Sequence, residues 1–231
     1  MTTPLVIAHR GDSSNALENS LEAIHRALSY PVDMIELDIR RSRDGALFVM
    51  HDRMTGRTAD RNVDIERSAS GEIGALRLKN GEPVPTLADV VRTVAGSVGV
   101  NLEIKSDGAG TLAAQYLLST GYEGYVLISS FKEEEISAVR RAMPALPVSM
   151  IFDVFAARDV PAYRERGYRI ISLRKKAVDE RLVSACHAQG VQAYVWTVDE
   201  ENEMRKFISM GVDGIYSNRP EALKGIVRSA G

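Results

Sequence analysis

The amino-acid sequence predicts a (β/α)8 TIM barrel with a small insertion after its second strand. Three observations carry this reading. Eight short apolar runs alternate with amphipathic helical stretches almost to the end of the 231 residues, a rhythm that calls for a parallel sheet with right-handed crossovers. Eight such units in about 250 residues is what a closed barrel requires. The rival, a doubly wound open sheet, wants a G-x-G-x-x-G turn after its first strand, and "AHRGDSSNALENS" is not one.

The elements follow in order. "LVIA" (5–8) is a strand, and "NSLEAIHRALS" a helix with an apolar face. "DMIELDI" (33–39) is the second barrel strand. The tight-turn pair Asp44-Gly45 then predicts a hairpin of 39–43 with 46–51. Residues 53–85 are polar and glycine-bearing with no long periodic run. A loop of that length is functional or carries its own small structure, so 39–85 reads as an excursion from the barrel. The helix "TLADVVRTVAG" leads to "GVNLEI" (99–104), "YVLISSF" (125–131) and the helix "KEEEISAVRRAM". "PVSMIF" (147–152), "YRIISL" (168–173), "VQAYVW" (191–196), the helix "DEENEMRKFISMG" and "VDGIYS" (212–217) complete the alternation. Residues 1–231 read as a single barrel domain.

Composition narrows the function. With 29 Lys and Arg against 31 Asp and Glu, the net charge is −2. That offers no broad electrostatic grip on nucleic acid or an anionic membrane. The one cysteine, Cys186, has no intrachain partner, which suits a reducing compartment. The N-terminus lacks a basic stretch before its short apolar run, and no segment has the length of a membrane span. A cytoplasmic protein acting on a small molecule is the expectation, without stable membrane insertion. No sequence feature sets an oligomeric state.

The second strand poses a chemical question, because Glu36 and Asp38 interrupt its apolar run. Burying an unpaired carboxylate costs several kcal/mol, on the order of a lost hydrogen bond or more. Side chains two apart on a strand share a face, so Glu36 and Asp38 point together while Ile35, Leu37 and Ile39 point away. "NLEIKS" repeats the device with Asn101, Glu103 and Lys105. In both runs the charges lie at the C-terminal strand end, where barrel active sites are built. The first strand ends there on His9-Arg10-Gly11, and the hairpin returns His51-Asp52 to the same rim. Glu36, Asp38 and Glu103 would repel one another without a cation, and an all-oxygen set suits Mg²⁺, Ca²⁺ or Mn²⁺ rather than zinc. A divalent ion beside Arg10 and Lys105 makes a site for a phosphate oxyanion. His9 and His51 titrate near neutrality and can exchange protons with attacking and leaving oxygens. The expected substrate is a phosphodiester.

Other residues have competing roles. Asn19, with Glu22 three residues on, reads as a helix capping box. Glu18 is either a substrate-side group or a charge at a helix start. Trp196 is either a stacking surface for the non-phosphate part of the substrate or a core residue. His25, His187 and Cys186 read as structural, and Arg57 and Arg61 in the excursion as solvated.

"HRG" (9–11), "ENS" (18–20), "IELDI" (35–39), "DG" (44–45), "MHD" (50–52), "NLEIK" (101–105), "VWTVD" (195–199) and "GVDGIYSNRPE" (211–221) together resemble the glycerophosphodiester phosphodiesterase family. The resemblance implies a barrel with a small insertion and hydrolysis of glycerophosphodiesters to glycerol 3-phosphate and an alcohol. It implies His9 and His51 as the acid/base pair, Arg10 and Lys105 as phosphate ligands, and Glu36, Asp38 and Glu103 as metal ligands. Two departures stand out: Leu17 replaces a usual proline, and "YSNRP" replaces a more acidic or threonine-bearing ending. Both are expected to change the pocket rim and not the chemistry. The alternatives are a lysophospholipase D-type activity, or a metal-dependent lyase or isomerase on the same fold. A non-catalytic phosphate-binding module would lack one of the histidines or carboxylates, and none is missing.

Overall fold

The computed structural model describes residues 3–230. In chain order the elements are β1 (Leu5–His9), α1 (Leu21–Leu28), β2 (Met34–Arg41), β3 (Leu47–Val49), α2 (Ser70–Gly74), α3 (Leu87–Val94), β4 (Gly99–Ile104) and α4 (Ala109–Ser119). They continue with β5 (Val126–Ser130), α5 (Glu133–Ala142), β6 (Val148–Phe152), α6 (Val160–Glu165), β7 (Ile170–Arg174), α7 (Glu180–Ala188), β8 (Gln192–Trp196), α8 (Glu201–Ser209), β9 (Gly214–Ser217) and α9 (Pro220–Ala230). The eight strands other than β3 are parallel in the order β1-β9-β8-β7-β6-β5-β4-β2, and β1 pairs with β2 to close the barrel. β3 adds antiparallel to β2 through the turn at Asp44-Gly45, where Gly45 has φ 92°. This is the predicted barrel, with the extra hairpin where the sequence placed it.

Strand periodicity sorts the side chains into two sets. Ile35, Leu37, Ile39, Val100, Leu102 and Ile104 face outward and are buried in the main core. Inward, Ile7, Met34, Leu127, Ile170, Tyr194 and Tyr216 pack as an apolar plug. Above the plug the interior turns polar: Asn101 Nδ2 donates to Tyr216 Oη (3.0 Å) and Ser129 Oγ to Asn101 Oδ1 (2.8 Å). Ser172 lies 3.2 Å from the same Tyr216 hydroxyl and 3.0 Å from Ser149. Every group in this layer has a partner, which is what lets a polar layer sit inside a core.

The excursion has its own small core of Phe48, Met50, Ile65, Ile73, Leu76, Leu78 and Val84. It is tied back to the barrel by Glu82, whose carboxylate accepts the Leu21 and Glu22 N–H groups at the start of α1. A carboxylate there satisfies free donors and meets the positive end of the helix. No helix among the described residues is long and apolar enough to cross a membrane.

α4 shows a weaker helical signature than its neighbours and begins at Gly108, which has no capping side chain. Buried Glu135 of α5 supplies the cap instead, accepting Gly108 N–H (2.6 Å) and Gly110 N–H (3.0 Å). Glu135→Ala should therefore lower stability by about 2–3 kcal/mol, the scale of charge-assisted bonds to buried donors. Urea unfolding measures this, and a loss below about 0.5 kcal/mol, the range of a neutral surface change, would contradict it.

Candidate active site

The C-terminal strand ends gather His9, Arg10, Glu36, His51, Asn101, Glu103, Lys105, Ser129, Phe131, Ile151, Ser172, Trp196, Thr197 and Tyr216 around one cavity of about 240 Å³. Strand register explains the grouping: His9 is level with Glu36, Glu36 with Asn101, and Asp38 with Glu103. The walls divide by chemistry, with the charges on β1, β2 and β4 and the apolar Phe131, Ile151 and Trp196 across from them on the β5, β6 and β8 side.

Glu36, Asp38 and Glu103 are buried and each offers an oxygen within 4.8 Å of the others. Asp38 Oδ2 accepts from Asn19 Nδ2 (2.8 Å) and lies 3.2 Å from Arg10 Nε, while Oδ1 lies 3.1 Å from Lys105 Nζ. Lys105 also bonds Glu103. Glu36 Oε2 accepts the Arg10 N–H (3.0 Å), but Glu36 Oε1 is buried with no hydrogen-bond partner. Two cations therefore face three carboxylates; Asp38 Oδ1 meets Lys105 only as an ion pair, and Glu36 Oε1 is orphaned. Burial and the neighbouring Asp38 charge push Glu36 up to about 8, and the same two causes push Glu103 up to about 7. Burial opposes ionisation of Asp38 as well, but Lys105 and Arg10 overcome it and hold Asp38 down to about 2. An orphaned acceptor among three convergent carboxylates is a donor set that fits a divalent cation.

The backbone at the start of this site is constrained. Arg10 has φ 58° and Asn19 φ 59°, the left-handed region that a non-glycine residue visits at a cost. Between them Gly11 (φ 81°) is obligatory, because a Cβ there would lie 2.6 Å from the Ala23 carbonyl carbon. This turn directs the Arg10 N–H and guanidinium onto Glu36 and Asp38.

Each histidine has a different partner. His9 Nδ1 lies 2.7 Å from Asn218 Oδ1, and Asn218 Nδ2 donates to Asp199 (2.8 Å). Because the carboxylate of Asp199 only accepts, the Asn218 oxygen faces His9, so Nδ1 carries the ring hydrogen and Nε2 faces Glu36 at 3.9 Å. His51 Nδ1 instead bonds the carboxylate of Asp52 at 2.6 Å. Burial lowers the pKa of both rings; Arg10 adds to this at His9, whereas at His51 the Asp38 charge is the strongest opposing influence.

Several sequence expectations are corrected here. Asn19 does not cap α1: Ser20 does, accepting Ala23 N–H, and Asn19 grips Asp38 with both ends of its side-chain amide, Nδ2 donating to Asp38 Oδ2 (2.8 Å) and Oδ1 accepting the Asp38 N–H (3.2 Å). A one-residue shift in the start of α1 separates the two readings. Glu18 is not a helix-start charge; it accepts Arg10 Nη1 at 3.0 Å and lines a second cleft that shares His9 and Arg10 with the cavity. The "YSNRP" ending reaches beyond the rim, since Asn218 binds His9 directly. Arg57 is not free in solvent but is held by Glu18 and Asp52, whereas Arg61 is exposed. Trp196 lines the cavity and packs edge-on to Phe131 with ring centres 5.8 Å apart. His187 bonds Asp213 (2.9 Å) and Cys186 is fully buried.

The sequence profile of the glycerophosphoryl diester phosphodiesterase family matches residues 9–222. This chain belongs to that family. A glycerophosphodiester phosphodiesterase of Caldanaerobacter subterraneus subsp. tengcongensis is 33% identical over 98% of this chain and 99% of its own. Among solved structures, a glycerophosphodiester phosphodiesterase from Agrobacterium tumefaciens is 27% identical, covering 98% of this chain and 99% of its own with a TM-score of 0.85. An Oleispira antarctica phosphodiesterase solved with the product sn-glycerol-3-phosphate shares the fold, with a TM-score of 0.91 at 23% identity over 98% of this chain and 97% of its own. Family membership makes the protein a phosphoric diester hydrolase.

Proposed function

We propose that this protein hydrolyses glycerophosphodiesters to glycerol 3-phosphate and an alcohol, with His9 and His51 as the acid/base pair and a divalent cation as cofactor. The observation that carries the reading is the meeting of His9, His51, Arg10 and Lys105 at one small cavity beside the three-carboxylate cluster. Glu36, Asp38 and Glu103 would hold Mg²⁺, Ca²⁺ or Mn²⁺, which supplies Lewis-acid stabilisation of charge on the phosphate when bound. Arg10 and Lys105 lie against the same carboxylates and neutralise phosphoryl oxygens placed there. The apolar wall of Phe131 and Trp196 suits the carbon skeleton of the substrate.

His9, neutral and with Nε2 turned to the cavity, is assigned as the general base. Its neutral amide partner supports that tautomer without adding charge. His51 is assigned as the general acid, because the Asp52 carboxylate at Nδ1 favours the imidazolium that must donate to the leaving oxygen. The attacking group is either water or the substrate hydroxyl beside the phosphate-bearing carbon. A substrate analogue lacking that hydroxyl separates the two: turnover falls by at least about 10³-fold if the hydroxyl attacks, the scale of a lost intramolecular nucleophile. Near-normal turnover of a bound analogue excludes that route.

The test of the function is one assay. Purified protein is offered a panel of glycerophosphodiesters and lysophospholipids, with and without added Mg²⁺ or Ca²⁺. Release of glycerol 3-phosphate from the diesters is expected, and its absence from every diester overturns the reading. The proposal treats residues 1–231 as one domain at work in the cytoplasm, where a lone cysteine stays reduced.

A further inference from the structure

We propose that Arg57, carried on the excursion, is a positioning residue that sets both the His51 ring and the Arg10 guanidinium. The proposal rests on the phosphodiesterase reading above. Arg57 ends a 3-10 turn, Thr55–Arg57, that is braced on all sides. Buried Thr55 donates its hydroxyl to the Arg61 carbonyl (2.6 Å) and accepts the Val63 N–H (2.9 Å). Gly56 N–H donates to Asn62 Oδ1 (3.0 Å), and a Cβ on Gly56 would lie 2.8 Å from that same atom. The turn therefore presents Arg57 from a fixed backbone.

From there the guanidinium uses each of its nitrogens. Nη1 and Nη2 donate to the two Glu18 oxygens (2.8 and 2.6 Å), and Nε donates to Asp52 Oδ2. Glu18 Oε1 also accepts from Arg10, and Asp52 Oδ1 is the partner of His51 Nδ1. One side chain thus joins the carboxylate that orients the general acid His51 to the carboxylate that orients the phosphate-side Arg10. None of Arg57, Glu18 and Asp52 lines the catalytic cavity itself; Arg57 and Asp52 border a cleft that shares His51 with it, and Glu18 one that shares His9 and Arg10, so their bonds act on His51 and Arg10. An isolated, half-exposed ion pair would matter little. A planar fork bound bidentately on one side and singly on the other is a geometric constraint that lysine cannot reproduce. Without it, Glu18 loses two of its three donors and Asp52 one of its two, and the groups they hold lose their fixed orientation.

The experiment uses the full chain with its divalent cation, comparing wild type with Arg57→Ala and Arg57→Lys on the best diester substrate. For Arg57→Ala, kcat should fall by about 10²-fold, the cost of a small misplacement of reacting groups, with KM and melting temperature little changed. Arg57→Lys should recover little, while added methylguanidinium should restore part of the Ala variant's kcat and methylammonium should not. Wild-type kcat in Arg57→Ala overturns the proposal. So does a loss repaired by lysine, a loss untouched by methylguanidinium, or a loss that accompanies unfolding. A second readout is independent of turnover: ¹⁵N shifts of the His51 ring, assigned with His51→Gln. They should report a single Nδ1-protonated tautomer in wild type and a tautomer mixture in Arg57→Ala. Identical shifts in both proteins overturn the proposal even if no diester is cleaved, a result that would separately sink the functional reading.

Discussion

Chelation of divalent cations is expected to abolish turnover, with Mg²⁺, Ca²⁺ or Mn²⁺ restoring it better than Zn²⁺. The expectation follows from three buried carboxylates converging within 4.8 Å, with Glu36 Oε1 left without a partner. Alanine at Glu36, Asp38 or Glu103 should weaken metal binding by calorimetry as well as lower the rate. Proton linkage gives a further measure, since Glu36 is pushed up to about 8 and Glu103 up to about 7 in the metal-free protein. A cation must displace those protons, so binding should release protons and weaken as pH falls through that range. Stability of the metal-free protein should move the opposite way. A carboxyl whose folded pKa exceeds its unfolded value makes the folded state the tighter proton binder, so its contribution is full below the unfolded pKa and is lost as pH rises through the folded one. Asp38, held down to about 2, adds stability above the ordinary carboxylate range and loses it only in strong acid. The melting temperature in chelator should therefore drop as pH rises from about 5 to about 8 and level off above that, where Glu36 is ionised in both states. Glu36→Gln should flatten that slope. An equal slope in wild type and Glu36→Gln, or full activity in excess chelator with metal absent by elemental analysis, refutes the assignment.

Alanine at His9 or His51 should each lower kcat by about 10²–10⁴-fold, the usual size of general acid–base catalysis. Fold and metal binding should persist. The two variants should part company on activated substrates, because a good leaving group needs no acid. A nitrophenyl diester should rescue His51→Ala and leave His9→Ala impaired if the roles are as assigned. Rescue of His9→Ala instead would exchange the two roles. Equal loss of activity from His25→Ala or His187→Ala in a folded protein would overturn the roles of His9 and His51, since His187 is engaged with Asp213 and does not line the cavity.

Much of this architecture is legible along the chain because strands repeat every two residues. The period placed Glu36 with Asp38 and Asn101 with Glu103 inside the barrel, and the polar breaks in apolar runs marked the strand ends that carry charge. Asp44-Gly45 announced the hairpin because few other dipeptides adopt that turn at little cost. Groups set by contacts distant in sequence were not legible. Glu135 caps a helix that starts 27 residues earlier, counting from Gly108, and Glu82 reaches back 61 residues to Leu21. Asn19 and Ser20 are both good capping residues, and only the position of Asp38 settles which one is free for the site.

By itself, then, the sequence determined the barrel, the excursion and the chemical types of the groups at its mouth, because each follows from local periodicity and turn chemistry. The tertiary structure alone decided which partner each group has: Asn218 for His9, Asp52 for His51, Asn19 for Asp38, and Arg57 between Glu18 and Asp52. Those choices depend on hydrogen-bond distances between loops that closure of the sheet brings together, and 209 residues of chain separate His9 from Asn218. No local pattern encodes an angle or a distance across such a gap.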